Sequence, residues 1–276
     1  IGWRGEPGIN DEPQHLKPGN EMINQLELLD IPLFILDPSS DYKKIINETI
    51  EKINEENSPV AIVVKKNFFK KEDIIEKNND KYQLSRSDAI KIIIDNIQND
   101  DIVISTTGKA SRELYFFRNK YGDKGKDFLT VGSMGHTSSI SAGLALGCRK
   151  KNIICIDGDG SALMHMGSMA INGSLDLNNL IYIILNNGSH DSVGGHATVG
   201  LKVDFCQIAR ACNFKFVERC FNKDKLEEAI NYSIDYKGSS MIEVLINNKN
   251  NIPNLPCPEQ SPTENKDSFM KFISTK

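Results

Sequence analysis

The chain has 276 residues, 25% of them charged and 39% hydrophobic, with a formal net charge of −4. That is the make-up of a globular protein with room for two modest domains; it gives no electrostatic reason to expect nucleic acid or an acidic membrane as partner, and no apolar run reaches the ~18 residues of a membrane span. None of the six cysteines forms a CxxC pair, which argues against a zinc or iron–sulfur site and for a reduced, cytoplasmic protein.

The first residue is Ile1 rather than Met and no signal peptide is visible, so the chain is expected to begin partway through a longer protein. A short apolar run at 31–36 precedes a stretch in which Tyr42, Ile45, Ile46, Ile50 and Ile53 share one face at helical spacing. Residues 59–64 read as a buried strand, and helix followed by apolar strand is the rhythm of a parallel α/β layer. Residues 67–83 are polar and charged and read as a linker.

A second α/β run starts near Ser85. It opens with a helix over 89–97, capped by Ser87 or Asp88. A strand over 101–105, a helix over 110–120, a strand over 128–131 and a small-residue helix over 136–147 follow. Then come a strand over 152–156, a helix near 163–174 and a strand over 180–185. Strands at 214–217 and 241–246 flank a helix over 223–236, and a tail over 249–276 carries a short helix at 264–273. The expected fold is α/β: a doubly wound, mostly parallel sheet over 84–248, preceded in 1–66 by the end of a second α/β domain.

In open α/β sheets ligands bind beyond the carboxyl ends of strands. Four polar, glycine-bearing loops follow strands here, at 106–109, 132–135, 158–161 and 186–191, and all are expected to open on one edge. In Gly158-Asp159-Gly160-Ser161-Ala162 the glycines let the backbone approach a ligand, and N–H groups at a helix start suit phosphate oxygens. Asp159 alone would repel phosphate, so a bridging divalent cation is implied; magnesium takes a few hard oxygen ligands together with phosphate oxygens. Asn186 and Asn187 offer neutral ones, and the 25 residues between Gly160 and Asn186 allow one helix and one strand. Either loop alone is more often a plain turn; both together, at strand ends one crossover apart, point to a metal-bridged diphosphate.

Gly-Asp-Gly-Ser, that gap and Asn-Asn resemble the motif of thiamine diphosphate enzymes. The resemblance implies thiamine diphosphate and Mg2+ as cofactors. It assigns the Asp159 and Asn187 side chains and the Ser189 carbonyl to the metal, with Gly158, Gly160, Ser161 and Ala162 against the diphosphate. The loop Gly132-Ser133-Met134-Gly135 resembles the family's pyrimidine clamp, in which the Gly132 carbonyl and Met134 N–H meet the ring and the Met134 side chain wedges between the two rings. Thr106, Thr107 and Gly108 resemble the loop that meets the diphosphate from the other side.

Longer stretches, 1–8, 11–15, 106–113, 132–136 and 186–195, are similar to the phosphonopyruvate decarboxylases and share part of their pattern with the sulfopyruvate decarboxylases. The resemblance implies non-oxidative decarboxylation of a small anionic 2-oxo acid by a homodimer or homotetramer. By the same resemblance the expected substrate is 3-phosphonopyruvate, giving phosphonoacetaldehyde and CO2 in phosphonate biosynthesis, or alternatively sulfopyruvate. No position matches the glutamate of the family's pyrimidine-binding domain, and Glu6 and Glu12 read as solvated loop acids.

A distal anion favours fixed positive charge and arginine forks, which makes Lys109, Arg112 and Arg4 substrate-binding candidates, each with surface pairing as its plainer reading. His136, His190 and Asp191 stand one to four residues from expected cofactor contacts and are candidates for proton transfer, against helix capping for His136 and loop orientation for His190. His165 reads as structural on a helix; His15 and His196 read as loop residues. Rival functions are carboligation or oxidative decarboxylation on the same cofactor, and a non-catalytic cofactor-binding fragment. A nicotinamide-binding domain is disfavoured because no GxGxxG follows a strand.

Overall fold

The computed structural model describes residues 1–70, 81–123, 125–249, 251–252 and 254–274. Of the expected linker, 71–80 lies outside the described residues. The chain divides into two compact units, Ile1–Ile74 and Ile75–Lys276.

The first unit contains α1 (Pro13–Leu28), β1 (Leu33–Leu36), α2 (Tyr42–Glu56) and β2 (Ala61–Val64). β1 and β2 pair in parallel from Leu33 opposite Ala61 to Leu36 opposite Val64. α2 covers the stretch read as helical, but of the apolar face read above Tyr42, Ile46, Ile50 and Ile53 are exposed and the buried residue is Thr49; Asp41 caps the helix by accepting from the Lys43 and Lys44 N–H groups, and left-handed Asn57 ends it. The sequence reading missed α1, whose run contains Pro13, Pro18 and Gly19. Close backbone packing offsets that poor local propensity. A Cβ on Gly19 would sit 2.2 Å from the carbonyl oxygens of Arg4 and Gly5, and one on Gly5 (φ +70°) 2.0 Å from that of His15. The Trp3 indole N–H donates to the Gly19 carbonyl at 2.9 Å. His15, read as a loop residue, lies in this helix.

The second unit runs α3 (Arg86–Asn96), β3 (Ile102–Ser105), α4 (Lys109–Lys120), β4 (Phe128–Leu129), α5 (Thr137–Gly147), β5 (Ile153–Gly158), α6 (Asp159–Met164), α7 (Ser168–Ser174) and β6 (Leu180–Asn186). A small antiparallel hairpin, β7 (Ser189–His190) and β8 (His196–Ala197), follows and contains His196. Then come α8 (Phe205–Ala211), β9 (Phe216–Cys220), α9 (Lys223–Asp235), β10 (Ser240–Leu245) and α10 (Pro262–Ser274).

Six strands form one sheet in the order β4-β3-β5-β6-β10-β9, every neighbouring pair parallel. Alternate strand residues feed two cores. Val103, Ile154, Ile156, Ile181, Ile183 and Ile242 pack towards residues of α3, α4 and α9. Ile102, Ile104, Ile153, Cys155, Tyr182 and Ile184 pack with residues of α5, α8 and α10. With both faces covered, these strands are apolar throughout rather than alternating. Burial of each large side chain contributes about 1.5–3 kcal/mol. The connection from β3 leads to β4 on one side and that from β5 to β6 on the other, so the winding reverses between the adjacent strands β3 and β5.

Two local readings need correction. The helix expected from Ala89 starts at Arg86; its cap is Ser85, in a capping box with Asp88, rather than Ser87 or Asp88. The helix expected near 163–174 is two: α6 begins directly after β5, His165 leaves helical geometry (φ −132°, ψ 46°), Gly167 follows, and α7 restarts at Ser168. His165 therefore lies between helices. Among the described residues no helix is long and apolar enough to cross a membrane.

Candidate functional site

Because all six strands are parallel, the loops after β3, β4, β5 and β6 share the carboxyl edge, and the reversal between β3 and β5 opens the crevice where such sheets take ligands. A single hydroxyl ties three of these loops together. Ser161 Oγ accepts from the Gly135 N–H at 3.0 Å and from the Thr106 hydroxyl at 3.1 Å. Beneath it lies Asp157, the penultimate residue of β5, bonded by Tyr182 Oη at 3.0 Å and by the Gly158 N–H at 2.9 Å. Burial pushes the Asp157 carboxyl above its ordinary value.

The 132–135 loop turns through three left-handed residues, Gly132 (φ +69°), Ser133 (φ +45°) and Gly135 (φ +91°). The Gly132 N–H donates to Thr107 Oγ1 at 3.2 Å. Gly135 cannot be larger: a Cβ there would meet the His165 ring at 2.4 Å. The rings of His165 and His136 pack at a tilt of 53° with centroids 4.3 Å apart, and His136 Nδ1 lies 3.2 Å from the Ser133 carbonyl. Met134 is half-buried in the same loop.

Asp159 opens α6 and is only 2% exposed. Its hydrogen-bond donors are neutral: the Thr198 hydroxyl, its own backbone N–H and the Asn187 N–H. Burial pushes its carboxyl up to about 6. Gly200 presses against it, since a Cβ there would fall 2.4 Å from Asp159 Oδ2 and 2.9 Å from Asn186 Oδ1. Asn187 is buried beside it, and its side-chain oxygen accepts from the Ser189 N–H at 2.9 Å. Asn186 plays a different part: its amide nitrogen donates to Glu243 (2.8 Å) and to the Gly200 carbonyl (3.0 Å). A carboxylate, an amide oxygen and a backbone carbonyl form a hard-oxygen set. Among the described residues no group of three or more His, Cys, Asp and Glu is placed to hold a metal.

His190 lies over Gly160, where a Cβ would meet its ring at 2.4 Å. Ser192 Oγ accepts from the Lys109 N–H at 3.2 Å and crowds Gly108 (φ +95°). Asp191 pairs with Arg86 at 2.6 Å. The second unit thus gathers Thr106, Thr107, Gly108 and Lys109, the 132–136 loop, Gly158 to Ala162, and Asn187 to Asp191 along one edge. Arg112 lies one turn into α4. Arg4 belongs to the first unit, where its guanidinium forks onto Asp11 at 2.8 and 2.5 Å; Glu6 there pairs with Lys65 at 2.8 Å. The sequence reading missed Thr198, Gly200 and Arg86. For Arg86 the Ser85-x-x-Asp88 capping box was a usable hint of a helix start at 86; the other two carry no local signal.

Comparisons with known proteins bear on the family. Residues 108–244 match the model for the thiamine pyrophosphate enzyme C-terminal TPP binding domain. A phosphonopyruvate decarboxylase from Streptomyces viridochromogenes is 28% identical over 289 residues, covering 99% of this chain and 71% of that protein. A sulfopyruvate decarboxylase subunit beta from Methanococcus maripaludis is 35% identical over 192 residues, covering 69% of this chain and 98% of that protein. A sulfopyruvate decarboxylase from Methanosarcina acetivorans is 33% identical over 193 residues, covering 69% of this chain and 48% of that protein. The chain belongs to the family of thiamine diphosphate-dependent 2-oxo acid decarboxylases that includes the phosphonopyruvate and sulfopyruvate decarboxylases.

Proposed function

We propose that the protein decarboxylates 3-phosphonopyruvate to phosphonoacetaldehyde and CO2, in phosphonate biosynthesis, with thiamine diphosphate held through Mg2+. One observation carries the cofactor reading: Asp159 is a buried acid with neutral donors, at the edge where the winding reverses. A buried carboxylate without a cation is costly, and a divalent ion beside the Asn187 amide and Ser189 carbonyl would relieve that cost. The residues fit a diphosphate too, because a Cβ built on Gly158 would meet nothing within 4 Å.

When bound, the cofactor supplies an electron sink for the carbanion left as CO2 departs. The chain's own residues do the rest. Asp159, Asn187 and the Ser189 carbonyl would hold the metal; Thr106, Thr107, Gly108, Gly158, Gly160, Ser161 and Ala162 would line the diphosphate; Gly132, Ser133 and Met134 would orient the pyrimidine. Lys109 and Arg112, on the first turn of α4, would offer positive charge to a distal anion. His136 and His190 would carry protons at the same edge.

Phosphonopyruvate is favoured because the relatives of that name match through 99% of the chain, first unit included. Sulfopyruvate is the second reading, supported by the higher identity, 35%, over a shorter stretch. Assembly as a homodimer or homotetramer is part of the proposal, and the subunit naming of the M. maripaludis relative supports an oligomer. The test is the full-length protein with Mg2+, thiamine diphosphate and each 2-oxo acid side by side. Faster aldehyde release from phosphonopyruvate is expected; absence of metal-dependent cofactor uptake would overturn the reading.

A further inference from the structure

The loop that bears Asn187 and Ser189 is joined through Asp191 to a buried charge cluster on α3 and α4. The side chain of Arg86, first residue of α3, is 9% exposed. Its Nη1 reaches Asp191 Oδ2 at 2.6 Å, and its Nη2 reaches Glu113 Oε1 of α4 at 2.8 Å. Glu113 is 1% exposed, and Arg86 Nε and Glu113 Oε2 have no hydrogen-bond partner among the described residues. A buried ion cluster with unsatisfied atoms is a poor source of stability compared with apolar packing, and its best-attested use is to fix a geometry.

The geometry fixed here is that of residues 187–198. Asp191 follows His190, whose ring rests on Gly160. Ser192 Oγ takes the Lys109 N–H, the Gly195 N–H returns to the His190 carbonyl at 3.1 Å, and the Thr198 N–H returns to the Gly188 carbonyl at 2.9 Å. Thr198 then bonds Asp159. These hydrogen bonds and the His190 packing anchor the segment to α6 and to the start of α4, and the Arg86 fork ties it to α3 and to Glu113 of α4.

We propose that Arg86 is a positioning residue for the cofactor site: by clamping Asp191 against Glu113 it sets the loop from which Asn187 and Ser189 meet the metal. This rests on the cofactor reading above. It gives the Asp191 carboxylate an anchoring part rather than proton transfer.

The test uses the full-length protein and the variants Arg86→Lys, Asp191→Asn and their double. Lysine keeps the charge but cannot fork onto two carboxylates. Amide exchange across 187–198 is measured without cofactor, so it reads the clamp independently of the proposed function. Calorimetry then measures Mg2+-dependent binding of thiamine diphosphate. The expected result is roughly tenfold faster exchange in each single variant and cofactor affinity about 10–100-fold weaker. The double variant should lose little more than either single, because both cut the same link.

Unchanged exchange in both single variants overturns the clamp. Faster exchange with unchanged affinity overturns its role at the site, as does an Asp191→Asn enzyme that binds cofactor normally but shows a displaced pH profile. A wild-type protein that takes up no cofactor overturns the functional reading, and with it the role given to Arg86, while the exchange data still report whether the loop is clamped.

Discussion

Replacing Asp159 by Asn separates what this acid does to the fold from what it does for a cation. In the cofactor-free protein, burial raises its carboxyl from the ordinary 3.8 to about 6. The folded state therefore binds the proton more tightly than the unfolded one. The stability tied to that proton is fully present below about 3.8 and is lost as pH rises through about 6. At about 1.36 kcal/mol per pH unit, ionised Asp159 destabilises the metal-free fold by about 3 kcal/mol at pH 8. Asn carries no charge but accepts through one oxygen, so it cannot serve both the Thr198 hydroxyl and the Asn187 N–H with equal geometry. Losing one such bond costs about 1 kcal/mol.

The net expectation is an Asp159→Asn protein more stable than wild type by about 2 kcal/mol at pH 8 in chelator. The gain falls well below about 1 kcal/mol at pH 5, where wild type is already largely protonated. For a folding unit of this size, about 2 kcal/mol raises the thermal midpoint by roughly 4–8 °C. Thermal unfolding in chelator at the two pH values is the assay, repeated with Mg2+ and thiamine diphosphate. The additions should raise the wild-type midpoint and leave the variant unmoved. An Asn variant less stable than wild type at pH 8, or one whose gain is equal at both pH values, refutes the reasoning.

Other substitutions test the packing around the site. Arg86→Met leaves Glu113 and Asp191 facing each other without a cation and should cost about 3–5 kcal/mol in denaturant unfolding, well beyond the loss in Arg86→Lys. Gly160→Ala pushes a methyl into the His190 ring, 2.4 Å away; a loss of about 1–3 kcal/mol in stability should accompany weaker cofactor binding by calorimetry. Gly19→Ala in the first unit meets two backbone carbonyls at 2.2 Å that cannot rotate aside, so proteolysis of 1–70 should accelerate while exchange in the β5 and β6 strands stays slow.

The β-branched runs at 102–105, 153–156 and 180–185 were readable because strands covered on both faces need apolar residues at every position. The helix α9 was readable because one of its faces meets solvent and keeps the 3.6 period. α1 was not. Pro13 suits a helix start, but interior Pro18 and Gly19 argue against a helix locally, and what offsets them is backbone contact with Gly5, fourteen positions before Gly19, together with the Trp3 bond. The single helix expected near 163–174 failed for a related reason. Its polar and glycine residues follow no period, and the break at His165 sets that ring at a tilt against His136, 29 positions away.

The candidate site shows the same division between local and distant information. Its glycines, Asp159 and Asn187 stand immediately after strands, so sequence order alone brings them to one edge once the sheet is known to be parallel. Thr198 bonds an acid 39 residues earlier, and Asp191 a guanidinium 105 residues earlier. No periodicity or motif encodes such a meeting; only the winding of the sheet makes it. From the sequence, Asp191 stood out for its closeness to the expected metal ligands, and closeness suggested chemistry. In the fold the same carboxylate pairs with a buried arginine, and the proposed clamp makes that pair the handle on those residues. Near a site built on loops, a carboxylate's part is decided by which charge the fold delivers to it, and Arg86 is delivered by α3, a helix whose capping box was the one trace of it in the sequence.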